Sequence, residues 1–210
     1  MKNMIFIGAQ GAGKGTYADV IKAKLDIPHI STGDMFREAI KDQTPLGVEA
    51  KKHIDGGNLV PDEVTIKLVE ERLLRADCKN GFILDGFPRT LPQAQALDKI
   101  TQITQVVFLE VREEVIMQRL GGRIQCRKCS KIFHKTNMPP KVEGVCDMCG
   151  GELYTRDDDK PEAIKKRLAI FQEQTAPLLN FYEEKGVVIH VDSNDPIPSE
   201  VVKDIMNKIG

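Results

Sequence analysis

Short apolar runs alternate with amphipathic stretches along this chain, which indicates β-strands and α-helices in turn. The apolar runs predict buried strands at 4–7, 81–84, 106–111 and 187–191, and a short strand that ends near residue 30. The amphipathic stretches predict helices over 14–25, 37–41, 46–54, 61–76, 113–120, 155–185 and 199–208. Strands that alternate with helices at these intervals predict an α/β protein with a parallel, doubly wound sheet.

Polar residues and prolines mark where several of these helices begin. We expect Asp34 to cap the helix that starts at the next residue. Pro61 opens another predicted helix, with acidic residues in its N-terminal turn. The acidic run 157–159 and Pro161 predict the start of a long helix that continues to about Lys185.

The first apolar run is followed directly by a glycine-rich loop, residues 8–16 (GAQGAGKGT). Spaced glycines let the backbone turn at positive φ, and a helix that starts there points its N–H groups back into the loop. Such a loop binds phosphates: Lys14 would reach the β and γ phosphates, and Thr16 would supply the hydroxyl that faces Mg²⁺, because Gly15 stands where Ser or Thr is usual. A glycine-rich turn without a ligand is the alternative, which the lysine inside the loop disfavours.

A carboxylate, Asp85, ends the predicted strand at 81–84. The carboxyl ends of parallel strands line one crevice, so Asp85 is expected on the same rim as the glycine-rich loop. There it would hold Mg²⁺ through water, while Arg89 would reach a phosphate. The alternative is that Asp85 caps the turn that follows it.

The composition bounds the kind of protein. The chain has 210 residues, 30 basic and 31 acidic side chains and 41% hydrophobic residues, which is enough for one sizeable core. It lacks the basic excess of a dedicated polyanion binder, and no run approaches the ~18 apolar residues of a membrane span. Its first residues enter a strand instead of a signal peptide. We therefore expect a cytoplasmic enzyme with no nucleic-acid or membrane partner.

Four cysteines form two closely spaced pairs, Cys126-x₂-Cys129 and Cys146-x₂-Cys149, with sixteen residues between the pairs. This spacing predicts a zinc ribbon, and a site with four thiolates is closed and therefore structural. Disulfides are the alternative, disfavoured because the rest of the chain looks intracellular. The fifth cysteine, Cys78, has no partner spacing and is expected to be an ordinary packed thiol.

Six arginines lie near the loop, the strand ends or the borders of the cysteine segment. A solvated surface arginine is the usual interpretation of any one of them, but together they favour an acceptor that is itself a phosphate. A phosphate oxygen is anionic at pH 7, so its attack needs no general base, and none is apparent beside Asp85. The six are Arg37, Arg89, Arg119, Arg123, Arg156 and Arg167.

Together these motifs resemble those of the adenylate kinases, in the long bacterial form whose LID carries a zinc site. The resemblance covers nearly the whole chain. The family usually has proline at the position of Gln10 and glutamine at that of Tyr17, and both positions flank the loop without replacing its phosphate contacts. The matching segments are 8–16, 31–37 (STGDMFR), 58–63 (NLVPDE), 84–90 (LDGFPRT) with Gln93, 122–123, the four cysteines with 137–141 (NMPPK) between them, and 156–159 with Arg167.

The resemblance implies the P-loop nucleoside monophosphate kinase fold, with a five-stranded parallel sheet flanked by helices. Residues 1–30, 61–121 and 160–210 would form the CORE domain. Residues 31–60 would form a helical NMP-binding domain, which we call the helical insert, and residues 122–159 a zinc-ribbon-like LID, which we call the cysteine module. The implied reaction is reversible phosphoryl transfer from MgATP to AMP, which gives two ADP, by a monomer that holds a structural Zn²⁺.

The resemblance also implies roles for individual positions. Thr32 and Gln93 would read the adenine of AMP, since a hydroxyl and an amide present the donor and acceptor pattern that adenine requires. The reacting phosphates would be held by Lys14, Arg89, Arg123, Arg156 and Arg167, with Asp85. The ATP site would comprise Gly11, Ala12, Gly13, Lys14, Gly15, Thr16, Arg119, Arg123, Ile132, Phe133 and the backbone carbonyl of Asn194. The AMP site would comprise Thr32, Arg37, Asn58, Leu59, Val60, Gly86, Phe87, Pro88, Arg89, Gln93, Arg156 and Arg167.

Other functions share part of this pattern. A pyrimidine nucleoside monophosphate kinase has the same architecture, and Thr32 argues against it. A regulatory GTPase would carry an Asn-Lys-x-Asp segment, which this sequence lacks. A zinc-ribbon nucleic-acid-binding protein would explain the cysteines and the basic residues 123–141, but it would leave the phosphate loop and Asp85 without a role.

Overall fold

The computed structural model describes residues 1–195 and 197–210. Its strands are β1 (Lys2–Ile7), β2 (His29–Ser31), β3 (Gly81–Asp85), β4 (Gln105–Glu110), β5 (Arg123–Cys126), β6 (Ile132–His134), β7 (Leu153–Tyr154) and β8 (Val188–Asp192). Within the described residues, five of them form a parallel sheet in the order β2-β3-β1-β4-β8. The predicted parallel α/β fold is therefore confirmed.

Helices connect these strands and cover both faces of the sheet. They are α1 (Lys14–Leu25), α2 (Thr32–Lys41), α3 (Pro45–Ile54), α4 (Asp62–Leu73), α5 (Leu91–Ile100), α6 (Glu113–Gly121), α7 (Pro161–Ile170), α8 (Leu178–Glu183) and α9 (Pro198–Ile209). In the described part of the chain, no helix is both long enough and apolar enough to cross a membrane.

The core lies in two layers, one on each face of the sheet. Ile21 of α1 and Ile205 of α9 pack on one face, and Val69 of α4, Leu97 of α5 and Tyr182 of α8 pack on the other. Strands buried on both faces are expected to be apolar along their whole length, which explains the continuous runs in the sequence. The polar positions are displaced to the strand ends.

The register brings the carboxyl ends of three strands level with one another. Asp85 pairs with Phe6 of β1 and with Ser31 of β2. The glycine-rich loop leaves β1 one residue further on, so the loop and Asp85 share one edge of the sheet. Ligands of open α/β sheets bind in the crevice at this edge.

Two segments stand outside this layered core. In the helical insert, α2 and α3 pack around Phe36, Ala50 and Val60, and Gly47 permits their close approach because a Cβ there would lie 2.0 Å from the carbonyl oxygen of Ala39. In the cysteine module, the antiparallel strands β6, β5 and β7 form a small second sheet.

Two local predictions were wrong, and one helix was missed. Helix α2 begins at Thr32, and its cap is Ser31, whose Oγ accepts a hydrogen bond from the Asp34 backbone N–H at 3.3 Å. Asp34 instead lies in the first turn, where a carboxylate also interacts well with the helix dipole. Pro61 precedes α4 as its N-cap residue. The pattern also failed to predict α5, which begins after Thr90.

The long helix predicted over 155–185 is divided. After the short 3₁₀ turn Asp157–Asp159, α7 runs over Pro161–Ile170, and a π-helical segment, Phe171–Thr175, separates it from α8. The wider π turn carries Thr175, whose Oγ1 donates a hydrogen bond to the backbone carbonyl of Arg89 at 3.0 Å. Such bulges are frequent at functional sites, and this one supports the segment that carries Arg89.

Candidate active site

The glycine-rich loop closes tightly over the end of β1. Gly11 and Gly13 have φ of 81° and 93°, which side chains with a Cβ rarely adopt. Gly13 is the N-cap residue of α1 and places no side chain over the first turn of the helix. The N–H groups of that turn therefore remain available to an anion.

Lys14 lies beneath this loop. Its Nζ donates hydrogen bonds to the backbone carbonyls of Gly8 at 2.7 Å and Ala9 at 2.9 Å. Burial lowers its pKa, Asp85 opposes this shift and the positive charges of nearby arginines add to it, so that the pKa is about 8. An anion bound beside Lys14 would stabilise the charged form of the lysine against these positive charges.

Asp85 is the main negative charge next to Lys14. Burial alone would raise the pKa of Asp85, but His29, Lys14 and Arg89 outweigh burial and hold it below its ordinary value. The carboxylate therefore stays ionised at neutral pH. It lines the same cavity as Thr16, and a carboxylate with a hydroxyl is a donor set that suits Mg²⁺.

His29 was not predicted as part of the site. It begins β2, and its Nδ1 lies 3.4 Å from Asp19 Oδ1 on α1 while its Nε2 lies 3.6 Å from Asp85 Oδ2 on β3. Burial alone would lower the pKa of His29, but the two carboxylates outweigh it and raise the pKa to about 9. A charged His29 thus forms ion pairs with Asp19 of α1 and with Asp85 at the end of β3.

One cavity, about 1190 Å³ with its solvent-filled mouth, opens between the loop and the cysteine module. Two residues predicted for the ATP site do not line it: Ala12 has 0% exposure, and Asn194 uses its side chain to accept a hydrogen bond from the Arg112 backbone N–H at 2.9 Å. The predicted residues that do line it are Gly11, Gly13, Lys14, Gly15, Thr16, Arg119, Arg123, Ile132 and Phe133.

A second cavity, about 1010 Å³ with its solvent-filled mouth, lies between the helical insert and the sheet edge. Two residues predicted for the AMP site do not line it: Phe87 is 1% exposed in the core, and Arg156 lines the first cavity instead. The predicted residues that do line it are Thr32, Arg37, Asn58, Leu59, Val60, Gly86, Pro88, Arg89, Gln93 and Arg167.

The two cavities meet at a cationic wall. Lys14, Arg37, Arg89 and Arg167 each line both of them. Four cations between two adjoining cavities can neutralise two polyanions that approach each other.

Several of these arginines are held by carboxylates. Arg37 Nη2 lies 2.6 Å from Asp34 Oδ1, and Arg167 Nη1 lies 2.8 Å from Asp158 Oδ2. Arg123 donates from two nitrogens to the Asp159 carboxylate, which has no exposed surface. The aspartates at 158 and 159, expected as part of a helix start, therefore also orient arginines of the site.

Thr32 and Gln93 lie at the inner end of the second cavity. Thr32 Oγ1 donates to the Gly86 carbonyl at 2.9 Å and keeps its acceptor lone pairs. Gln93 Oε1 accepts from the Arg89 backbone N–H at 2.7 Å, and its Nε2 donates to Asp62 Oδ1 at 2.7 Å. Asp62 thereby fixes the orientation of the Gln93 amide.

The four paired cysteines converge in the cysteine module. Their Sγ atoms all lie within 4.8 Å of one another, with Cys126 and Cys149 at 3.5 Å and Cys129 and Cys146 at 3.6 Å. These separations are far longer than a disulfide bond of ~2.05 Å. They match the edges of ~3.8 Å in a tetrahedron whose sulfurs lie ~2.3 Å from zinc. The donor set and its shape fit a structural zinc ion.

Other residues of the first cavity were not predicted. His134, Asn137 and Met138 line it from the cysteine module, and Tyr17 lines it from α1. Ser193, which is fully buried, donates to the Ala12 carbonyl at 2.6 Å and lies 3.0 Å from the Tyr17 hydroxyl. The only sequence signals were Tyr17 at an unusual position and the unassigned segment 137–141.

Comparisons with known proteins show similarity to one family. A sequence model of a family described as adenylate kinase matches residues 6–187. A curated adenylate kinase of Lactobacillus delbrueckii subsp. bulgaricus is 52% identical over 211 residues, which cover 98% of this chain and 97% of that protein. One of Staphylococcus aureus is 51% identical over 210 residues, with the same coverage. One of Caldicellulosiruptor saccharolyticus is 47% identical over 212 residues, which cover 99% of this chain and 98% of that protein.

Proposed function

Because the chain belongs to the adenylate kinase family, we propose how its residues carry out the reaction of that family, the reversible transfer of a phosphoryl group from MgATP to AMP. The observation that carries the proposal is the cationic wall of Lys14, Arg37, Arg89 and Arg167 between two cavities. Phosphoryl transfer between two nucleotides requires both phosphate chains to meet in line at such a wall.

The first cavity takes ATP. The N–H groups of the loop and of the first turn of α1 bind its β-phosphate. Lys14 stabilises the negative charge that develops between the β and γ phosphates during transfer. Thr16 and Asp85, the latter through water, would hold the Mg²⁺ that accompanies ATP. That ion would supply further neutralisation of the phosphate oxygens.

The second cavity takes AMP. Thr32 and Gln93 read its base, and Arg37 and Arg89 bind its phosphate. The free acceptor lone pairs of Thr32 and the fixed amide of Gln93 support this assignment. The phosphate of AMP is already anionic at neutral pH, so these residues position the attacking oxygen and remove no proton.

Water must be kept from the transferred group, and the cysteine module has this role in our proposal. Its Ile132 reaches the loop, where a Cβ on Gly15 would lie 3.8 Å from Ile132 Cδ1. We assign residues 1–30, 61–121 and 160–210 to a CORE domain, 31–60 to an NMP-binding domain and 122–159 to a LID. The two insertions would open to release products.

The four thiolates would hold a zinc ion that stabilises the cysteine module without touching the nucleotides. We further propose that the enzyme is a cytoplasmic monomer that acts on ATP, AMP and ADP and on no nucleic acid. The five cysteines, all within the described residues, form no disulfide bond, which suits a reducing compartment.

The experiment is a chromatographic assay of the purified protein with MgATP and, separately, AMP, GMP, CMP and UMP. We expect a diphosphate product with AMP alone. The variant Arg89→Ala should lose most of this activity, whereas Arg75→Ala, which removes an exposed arginine that lines neither cavity, should keep it.

Each other outcome has a definite meaning. Preference for CMP or UMP would support the pyrimidine kinase alternative and overturn the roles of Thr32 and Gln93. No transfer to any acceptor by a folded, zinc-loaded sample would overturn the proposed function. Nucleic-acid binding that weakens as salt is added would then favour the zinc-ribbon alternative.

A further inference from the structure

Gln125 is a buried polar residue of the cysteine module to which no role has been assigned above. It lies in β5, where side chains alternate between two faces. Ile124 and Cys126 face the thiolate side and join its small apolar cluster. Gln125 therefore lies on the same face of β5 as Arg123, and its exposure is only 2%.

Both ends of the Gln125 amide are used. Its Oε1 accepts a hydrogen bond from Arg156 Nε at 2.5 Å. Its Nε2 donates to the Ser130 carbonyl at 2.8 Å and lies 3.5 Å from Asp34 Oδ1 in the helical insert. The arginine can only donate, so the oxygen must face Arg156 and the orientation of the amide is fixed by chemistry.

Within the described part of the chain Arg156 has no carboxylate partner, unlike three of the other arginines of the site. Arg37, Arg123 and Arg167 are each paired with a carboxylate. Among the described residues, the hydrogen bond from Nε to Gln125 is the only polar side-chain contact of Arg156, whose two terminal nitrogens have no partner within hydrogen-bond or ion-pair distance. Burial lowers the pKa of Arg156, and the charges of Arg123 and Arg37 lower it further. The guanidinium of Arg156 is thus held through Nε, and its two terminal nitrogens are open to the first cavity.

We propose that Gln125 is a positioning residue for phosphoryl transfer: its neutral oxygen fixes Arg156 through Nε and leaves both terminal nitrogens, with their full charge, for a phosphate. The fork geometry of a guanidinium binds phosphate through two parallel hydrogen bonds, and this requires a defined orientation. A carboxylate at position 125 would orient Arg156 equally well but would cancel its charge.

The second amide contact extends this role. Asp34 belongs to α2 of the helical insert, so the Nε2 of Gln125 reaches across the cleft from the cysteine module. In our proposal the same side chain fixes the orientation of Arg156 when the helical insert and the cysteine module approach each other. Arg156 is then ordered in the arrangement in which both nucleotides are enclosed.

The inference rests on the proposed function, and a double-mutant cycle tests it. Gln125→Met keeps the volume of the side chain and removes both polar atoms, and Arg156→Lys keeps a positive charge but lacks Nε. We expect Gln125→Met to lower kcat about 10-fold with a smaller change in the KM for ATP, because misorientation of a charge acts mainly on the transition state. In the Arg156→Lys background the same substitution should change kcat less than about twofold.

Gln95→Met is the matched control, since Gln95 is an exposed glutamine of α5. It should have the kcat of the wild type. If Gln125→Met matches this control, or if its effect simply multiplies that of Arg156→Lys, the inference is overturned. If the wild type and the control are themselves inactive with AMP, the proposed function fails instead.

Two further measurements distinguish the positioning role of Gln125 from a purely structural role. Gln125→Met should keep the zinc content of the wild type and its melting temperature to within a few degrees. Gln125→Glu decides the case in which the methionine variant does not fold. It retains the acceptor for Nε but loses the donor to the Ser130 carbonyl, so we expect a folded protein with a somewhat lowered melting temperature. Its kcat should lie well below that of the wild type, because the charge of Arg156 is cancelled. Wild-type kcat in this variant would overturn the inference.

Discussion

The loop edge of the parallel sheet and the cysteine module are stabilised in different ways. The loop edge rests on two large apolar clusters and can therefore carry buried charges such as Lys14 and Asp85. The cysteine module has only a small apolar cluster, and two of its three fully buried members are the zinc-type ligands Cys126 and Cys146. Several of its apolar side chains, including Met148, are exposed.

This difference indicates that the loop edge and the cysteine module depend on different residues for stability and for activity. A large core is stable enough to tolerate buried charged groups that lower the stability of the fold. Such groups are usual at active sites, where they stabilise a transition state. A segment that cannot bury enough apolar surface must obtain its stability from elsewhere, and four thiolates around a metal supply it. Substitutions at the loop edge should therefore act on activity, and substitutions in the thiolate cluster on stability.

Replacement of Lys14 should give the largest effect. Lys14→Met removes the cation that faces the reacting phosphates, and loss of one such group usually lowers kcat by roughly 10²–10³-fold. The melting temperature should stay at or above that of the wild type, because the burial and the neighbouring arginines that depress the Lys14 pKa also make its charge costly. Steady-state kinetics and thermal unfolding measure the two quantities.

Lys24→Met is the control, since Lys24 is an exposed lysine on the same helix. It should leave both quantities unchanged. A Lys14→Met variant that unfolds at a much lower temperature would break the comparison, because the loop edge would then depend on its charges for stability.

Loss of metal should act on stability first. We expect one zinc ion per chain by atomic absorption, and Cys146→Ser should lose it. Since metal binding energy is folding energy for such a segment, the melting temperature should fall by roughly 10 °C. At low temperature, kcat should stay within about threefold of the wild type because the thiolates lie outside both nucleotide cavities.

Cys78→Ala is the control for this variant. Cys78 lies outside the thiolate cluster, so its replacement should leave the zinc content unchanged. If Cys146→Ser is still folded and yet inactive at low temperature, the metal does more than stabilise the module, and the separation drawn above does not hold.

The parts of the site that could be predicted are those that are local in sequence. The loop 8–16 is one continuous segment, and the spacing of the four cysteines brings each pair together within one turn. His29, Gln125 and Ser193 could not be predicted, because each has a contact important to its role with a residue 31 to 181 positions away. Their roles depend on which strands become neighbours.

Errors at helix boundaries have a similar origin. The hydrophobic pattern over 155–185 continues through the π-helical segment, so the pattern alone could not locate the break. Pro177 was the local signal, since proline disfavours the helical hydrogen bond four residues earlier. Ser31 and Asp34 are both good capping residues, and only the backbone geometry decides which of them precedes the helix.

His29 gives the smallest expected effect and tests whether one charge at the loop edge does contribute to stability. The histidine lies between Asp19 and Asp85, and its pKa in the folded protein is about 9, above the ordinary value of 6.5. A raised pKa means that the folded state binds the proton more tightly than the unfolded state. The resulting stabilisation is complete below pH 6.5 and is lost as the pH rises through 9, and it amounts to at most about 3 kcal/mol.

Urea unfolding followed by circular dichroism between pH 6.5 and 9.5, in buffer without Mg²⁺, measures this contribution. Relative to His29→Gln, the wild type should lose free energy of unfolding as the pH rises, whereas His53→Gln should follow the wild type. Lys14 acts in the opposite sense, since its lowered pKa favours folding as the pH rises above 8, but it is common to all three proteins and cancels in the comparison. Parallel curves for the wild type and His29→Gln would mean that the two carboxylates do not hold a charged His29, and the loop edge would then rest on its apolar core alone.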